Sequence, residues 1–236
     1  MDEATFLARY PRVWHLAHGD AWAGLQRHGL LSTQRLLELF EREDDADLLL
    51  GQRRPDPVVL EHPMHGSVVL RDQHPLNVAK LQRALQDGMD VEEWLRLLNR
   101  LVFFFPSRQA LEVLASAYAD EPQLVLTLNT RSLVAEYGVW VKLASINTGS
   151  VLYNPAKRGR DTFLSIARHD QKSPSRRSLS RTECPTWCGI WSPLSGASPT
   201  EPPRPSRCDL RRHQLRPPCE CQNLSGAVRN RRVRPA

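Results

Sequence analysis

The chain has 236 residues and a formal charge of +6, a length that suits one large domain or two small ones. The charge is unevenly placed: residues 1–170 carry 19 Lys+Arg against 22 Asp+Glu, a formal −3, whereas residues 171–236 carry 13 against 4, a formal +9. All five cysteines and ten of the 18 prolines fall in the second part. The first part therefore has no disulfide framework, thiolate metal site or thiol nucleophile. No apolar run approaches the ~18–20 residues of a bilayer span. No basic segment leads into an apolar one as in a secretory leader. A cytoplasmic protein with no membrane partner is expected.

In chain order, Val13-Trp14-His15-Leu16-Ala17 reads as a first strand. Asp20 is placed to cap a helix over Ala21–His28, and Gly29 ends it where a positive φ is cheap. Ser32 caps a second helix with Leu36, Leu37 and Phe40 as its apolar stripe. The acidic stretch Glu41–Asp47 reads as a solvated helix end or loop. Short strands at Val58–Leu60 and Ser67–Leu70 flank a turn with histidine and proline, and helices follow over Leu76–Leu85 and Val91–Asn99. The run Leu101-Val102-Phe103-Phe104-Phe105, stopped by Pro106, predicts a strand covered on both faces. Ser107 then caps an amphipathic helix, Gln123–Leu128 is a strong strand, and Val139–Leu143 and Ser150–Tyr153 are weaker ones. Interleaved helices and strands predict an α+β class over residues 1–170.

Four features exceed a plain core pattern. His15 stands on a buried strand, where a histidine is either a satisfied core residue or a functional one. Arg71-Asp72-Gln73 ends a strand; the pair is either a local salt bridge or an anion grip, for which the arginine fork is suited. Asn99-Arg100 precedes the triple-Phe strand and reads as a helix cap or a site. Asn147-Thr148-Gly149 reads as a turn, with Arg158-Gly159 beyond it. His62, His65 and His74 cluster in sequence, but their Pro- and Gly-containing surroundings do not put two on one helix face, so no metal is expected. Phosphate-binding glycine loops and the common hydrolase motifs are missing.

In order, Trp14-His15-Leu16, a helix and Gly29-Leu30-Leu31-Ser32 resemble the opening of ADP-ribosyltransferase-like domains. These include the DarT-type DNA ADP-ribosyltransferases and the tRNA 2′-phosphotransferases. Closer is the likeness to a family of uncharacterised bacterial proteins with H…W…G-L-L-S, R-D-Q-x-P, L-L-N-x-x-V-F-F, N-T-G and R-G-x-x-T-F, all present over about residues 10–170. The resemblance implies an ADP-ribosyltransferase-like mixed sheet with flanking helices, NAD as cofactor, and a nucleic acid or protein as acceptor. It assigns His15 to the ribose side of NAD and Arg71 to its phosphates and the acceptor as the catalytic residue. Gly29, Ser32, Asn99 and Phe104 complete the implied NAD contacts. Two departures stand out. Ala17 replaces the threonine of the opening motif, and residues 120–170 hold no "A-E-x-x-V" segment for the catalytic glutamate, only Glu121 and Glu136.

Residues 171–236 show no apolar periodicity and are rich in Arg, Pro, Ser and Cys, so a disordered tail is expected. The composition is also that of GC-rich coding DNA read out of frame. Back-translation of Arg177–Ser192 with a one-base shift permits an "A-E … P-D-V-V" element at the place where the glutamate strand is missing. A frameshift near Asp170–Arg177, impairing catalysis, is the expectation. A basic nucleic-acid-binding arm on a non-catalytic interaction module is the alternative. The spacing of Cys184, Cys188, Cys208, Cys219 and Cys221 is too irregular for paired zinc ligands.

Overall fold

The structure, a computed structural model, describes residues 2–73, 76–151, 155–172, 187–191 and 222–223. Helix α1 (Glu3–Arg9) starts at Asp2, whose carboxylate accepts the Thr5 N–H at 2.8 Å, one of the donors a helix start leaves open. It delivers the chain to β1 (Arg12–His18). Helices α2 (Trp22–His28), α3 (Thr33–Leu39) and α4 (Glu43–Gly51) follow, then the hairpin strands β2 (Val58–His62) and β3 (Gly66–Leu70). Next come α5 (Val78–Ala84), α6 (Val91–Asn99), β4 (Leu101–Phe104) and α7 (Arg108–Ala117). The described chain continues with β5 (Gln123–Asn129), α8 (Thr130–Tyr137), β6 (Val141–Ala144), β7 (Leu164–Ser165) and α9 (Ile166–Lys172). Two further strands are β8 (Trp187–Trp191) and β9 (Gln222–Asn223).

The interleaved α and β pattern is what folds, with the strands arranged in small antiparallel sheets. One has the order β1-β5-β9, one is the β2-β3 hairpin, and the third runs β4-β8-β6-β7. In the first, Arg12 lies opposite Asn129 and His18 opposite Gln123. Trp14 also exchanges both backbone hydrogen bonds with Phe105, at 3.0 and 2.7 Å, so β1 is tied to the end of β4.

Strand β1 is covered on both faces, because alternate residues face opposite ways. Val13 joins Phe6, Tyr10, Val102, Phe104 and Val141 in one apolar cluster, and Leu16 joins Phe105, Leu111 and Val125 in another. A further cluster beneath the hairpin holds Leu37, Phe40, Leu49, Leu60 and Leu70. The fourth gathers Leu81, Trp94, Leu95 and Val151.

Three local expectations are corrected and one is narrowed. Asp20 does not cap α2. It sits inside a single 3-10 turn, Gly19–Ala21, with its own N–H facing His18 Nδ1 at 3.4 Å, and Ala21 begins α2 without a side-chain cap. Of the two readings of the acidic stretch Glu41–Asp47, helix end or loop, the helix end is what forms: Glu43, Asp44 and Asp45 fall in the first turn of α4, where carboxylates suit the helix dipole. Ser150 and Val151 form no strand, and residues 152–154 lie outside the described residues. Within the stretch read as unfolded tail, Trp187–Trp191 forms the strand between β4 and β6, pairing Val102 and Val141 with Ile190. The β-prone run Trp-Cys-Gly-Ile-Trp was masked by the average composition around it. Gln222–Asn223, also in that stretch, pair with Leu124 and Val125 of β5 as β9, and the remainder of the expected tail from residue 173, with its disorder and frameshift, lies outside the described residues.

The N-T-G and R-G-x-x-T-F motifs prove to be one folding unit. Arg158, only 2% exposed, donates from Nη1 to Thr148 O at 3.2 Å, and Gly159 N–H donates to Thr162 Oγ1 at 2.9 Å. A Cβ on Gly159 would stand 2.6 Å from Asp87 Oδ2, so the glycine permits the close approach. Phe163 stacks on buried Trp94 with ring centroids 5.8 Å apart.

Candidate functional site

A cleft of about 310 Å³ opens between β1, α2, the start of α3, β3 and β4. Four of the six residues singled out from sequence line it: His15, Gly29, Ser32 and Arg71. They come from three separate segments that only the fold brings together.

His15 is fixed by a backbone contact. Its Nδ1–H donates to Phe103 O at 2.8 Å, and the Phe104 ring stands 5.8 Å from the imidazole, centroid to centroid. With Nδ1 as the donor, Nε2 is the acceptor nitrogen, and it has no hydrogen-bond partner among the described residues. Burial holds the imidazole below its ordinary pKa, the Phe103 carbonyl opposes this, and the Arg71 charge adds to it. His15 is thus a neutral, oriented base or hydrogen-bond acceptor at neutral pH.

Arg71 projects from the end of β3. Nη2 donates to Ala17 O at 3.2 Å, and the guanidinium lies over the Tyr118 ring at 4.5 Å. Nε and Nη1 are buried without a hydrogen-bond partner. For the Arg71-Asp72 pair, read either as a salt bridge or as an anion grip, no direct ion pair between the two is among the contacts of the described residues, and Asp72 Oδ1 accepts the Tyr118 hydroxyl at 2.9 Å. Burial lowers the Arg71 pKa, while Glu121, Tyr118 and Asp72 oppose the shift. Tyr118 is pushed up to about 12, by burial first and then by its bond to Asp72. Two buried, unpartnered guanidinium donors are chemically able to receive the oxygens of an anion.

The other sequence candidates take different places. Gly29 ends α2 with φ 76°, shaping the cleft rim. Ser32 is 2% exposed and caps α3, its Oγ facing Arg35 N–H at 3.4 Å. Asn99 and Phe104 do not line the cleft. Asn99, 4% exposed, donates from Nδ2 to Leu50 O at 2.9 Å and accepts Arg54 Nη1–H at 3.1 Å, while Phe104 packs in the core behind His15.

Arg54 was missed by sequence reasoning. It lines the cleft floor and is 8% exposed, held by Leu49 O (2.7 Å), Arg71 O (3.2 Å) and Asn99 Oδ1 (3.1 Å). Burial pushes its guanidinium down to about 10, with the Asp72 charge opposing. The only available signal was an Arg-Arg-Pro step closing an apolar helix end, which also fits an exposed loop. Tyr118 carried no signal.

His18, His28 and His65 line the same cleft, so its wall holds His15, His18, His28, His65, Arg54 and Arg71 against one carboxylate, Asp72. Of the three histidines clustered in sequence, His62 and His65 stack with centroids 4.5 Å apart, and His74 lies outside the described residues. Among the described residues, no group of three His, Cys, Asp or Glu side chains is placed to hold a metal ion. No helix among them is long and apolar enough to cross a membrane.

Neither the curated proteins nor the solved structures contain a match to this chain. A family model does match, over residues 11–185, from just before β1 to beyond α9, taking in every cleft residue. The chain belongs to that family, a family of unknown function (DUF7002).

Proposed function

We propose that the cleft binds NAD or an ADP-ribose-like nucleotide, with ADP-ribosyl transfer to a nucleic acid or protein impaired in this chain. The observation that carries the reading is Arg71, whose Nε and Nη1 donors are buried and unpartnered in a wall shared with His15. Leaving such donors unmatched costs on the order of 1–3 kcal/mol each, so a ligand that supplies acceptor oxygens regains that energy on binding. A phosphate edge matches the guanidinium fork, and a ribose hydroxyl can donate to His15 Nε2. The cleft of about 310 Å³ is at the small end of ligand pockets and suits a nucleoside with its phosphates.

Bound NAD would supply an ADP-ribosyl group on a good cationic leaving group. The chain's part is to hold the phosphates with Arg71, orient the ribose through His15, and keep both in place through Phe103 O and Arg54. Ribosyl transfer also needs a carboxylate against the developing positive charge. Among the described lining residues Asp72 is the only one, and Tyr118 already occupies one of its oxygens. That favours binding without efficient turnover, which also suits a non-catalytic interaction module.

Thermal stabilisation by NAD and by ADP-ribose tests the reading. A ligand at a hundred times its dissociation constant should stabilise the chain by about 2.7 kcal/mol. His15→Ala and Arg71→Ala should abolish most of that shift. A chain whose melting temperature is unmoved by either nucleotide at millimolar concentration would sink the proposal.

A further inference from the structure

A second set of unmatched polar atoms belongs to residues that line the same cleft on other elements than Arg71. His28, from the last turn of α2, has a buried Nε2 with no hydrogen-bond partner. His65, in the β2–β3 turn, has a buried Nδ1 with none. The two rings meet edge to face with centroids 4.9 Å apart, and both residues line the cleft. Four buried side-chain atoms without a hydrogen-bond partner thus belong to residues that line this one cavity, two at Arg71 and two at the imidazole pair.

The hairpin fixes the pair. Arg27 donates from Nη1 to Met64 O at 2.8 Å, clamping the turn onto α2, and Met64 N–H donates to His62 Nδ1 at 3.2 Å. His62 stacks on the outer face of His65, and the Phe40 ring lies 6.0 Å away. The charged and titratable groups around His65 are His62 on β2, His28 and Arg27 on α2, and Glu41 after α3. Glu41 Oε2 stands 3.6 Å from His62 Nε2, so it serves His62 first.

We propose that His28 and His65 form a second anion subsite of the cleft, taking a phosphate group of the ligand between His28 Nε2 and His65 Nδ1 together with one proton from solvent. The proposal rests on the nucleotide reading of the cleft and adds to it a two-ended ligand, held by Arg71 at one end and by imidazoles at the other. An anion is favoured over a metal cation because the wall carries two arginines and four histidines against Asp72 alone. Burial and the neighbouring cationic groups hold His65 below its ordinary pKa of 6.5, so in the free protein it is neutral at pH 7. A phosphate beside it favours the imidazolium, and the balance is one proton taken up for each ligand bound.

Calorimetric titration of the full chain with ADP-ribose and with inorganic pyrophosphate, in buffers of different ionisation heat, reads that proton directly. Affinity should rise as pH falls from 7.5 to 5.5, by up to about tenfold per pH unit where uptake is complete. His28→Gln and His65→Gln should each flatten this slope and weaken binding at pH 6 by about tenfold, with little change at pH 8. In the unaltered protein, the ring C2–H resonance of His65 should titrate at higher pH once pyrophosphate is added, a readout that does not depend on a variant folding. A slope that persists in both variants, or a His65 resonance indifferent to pyrophosphate, overturns the subsite. So does zinc binding that depends on the same two residues with no proton uptake on adding phosphate. Nucleotide binding that needs Arg71 but ignores the histidines defeats this inference alone. Proton-linked pyrophosphate binding without any nucleotide binding supports the subsite and defeats the nucleotide reading.

Discussion

Arg54 and Arg71 are both buried beside the same cleft, yet their surroundings differ. Arg54 is held by two backbone carbonyls and the Asn99 amide oxygen. Arg71 makes one bond to Ala17 O, rests on the Tyr118 ring, and keeps two buried donors unmatched. Burial of the cation is costly in both cases, and carboxylates nearby (Asp72 for Arg54, Glu121 and Asp72 for Arg71) oppose it, but only at Arg54 do neutral dipoles also satisfy the guanidinium donors within the protein. At Arg71 the offset is left to something outside it. The difference separates an arginine whose donors are satisfied by the wall from one with donors still to match.

Substitution should pull the two apart. Arg54→Ala leaves Leu49 O, Arg71 O and Asn99 Oδ1 without a donor and should cost about 3 kcal/mol or more of folding stability in urea denaturation. Arg71→Ala removes one hydrogen bond and a ring contact together with two unmatched donors, so its stability should stay within about 1 kcal/mol of the parent. Its affinity for ADP-ribose, by contrast, should fall about thirtyfold, the loss of a charge-assisted pair worth about 2 kcal/mol. Equal destabilisation by the two changes would erase the distinction.

Acid should act on the cleft before the rest of the fold. The His15 pKa lies below its ordinary 6.5 in the folded chain, so as pH falls through 6.5 the unfolded state binds more protons and stability declines. At neutral pH and above, both states hold the ring neutral and the effect vanishes. The slope for this one group is at most about 1.4 kcal/mol per pH unit, and His15→Gln should remove it from denaturation curves between pH 5 and 7. The smallest change is at the rim. Gly29 has φ 76° with open space around a built Cβ, so Gly29→Ala should cost about 1 kcal/mol of stability through backbone strain alone, read in urea denaturation.

Much of the local structure was legible from sequence. Ser32 and Ser107 cap α3 and α7 because their hydroxyls meet the N–H three residues on. The run from Leu101 to Phe105 is a covered strand because every position is apolar and Pro106 stops it. Asp20 misled because a short polar residue before an apolar helix face can also sit inside a 3-10 turn, and sequence does not tell the two apart. The acidic segment at α4 left helix end and loop both open, because its carboxylates suit solvent in either until the dipole of the helix they begin is considered. Within residues 171–236, the five residues of β8 were lost in the average of their surroundings.

Local chemistry therefore set the capped helices, the covered strands, the break in charge near Asp170 and the placing of His15 and Arg71 at strand positions. The sequence by itself also carried the match to its family over residues 11–185. It did not hold the difference between Arg54 and Arg71, or the meeting of His28 with His65. Those depend on which carbonyl or ring arrives from a segment distant in the chain: Asn99 at Arg54, Ala17 and Tyr118 at Arg71, the hairpin turn at His28. Hydrogen bonding acts over about 3 Å, so whether a buried donor is matched or left open is decided only where the folded chain closes on itself.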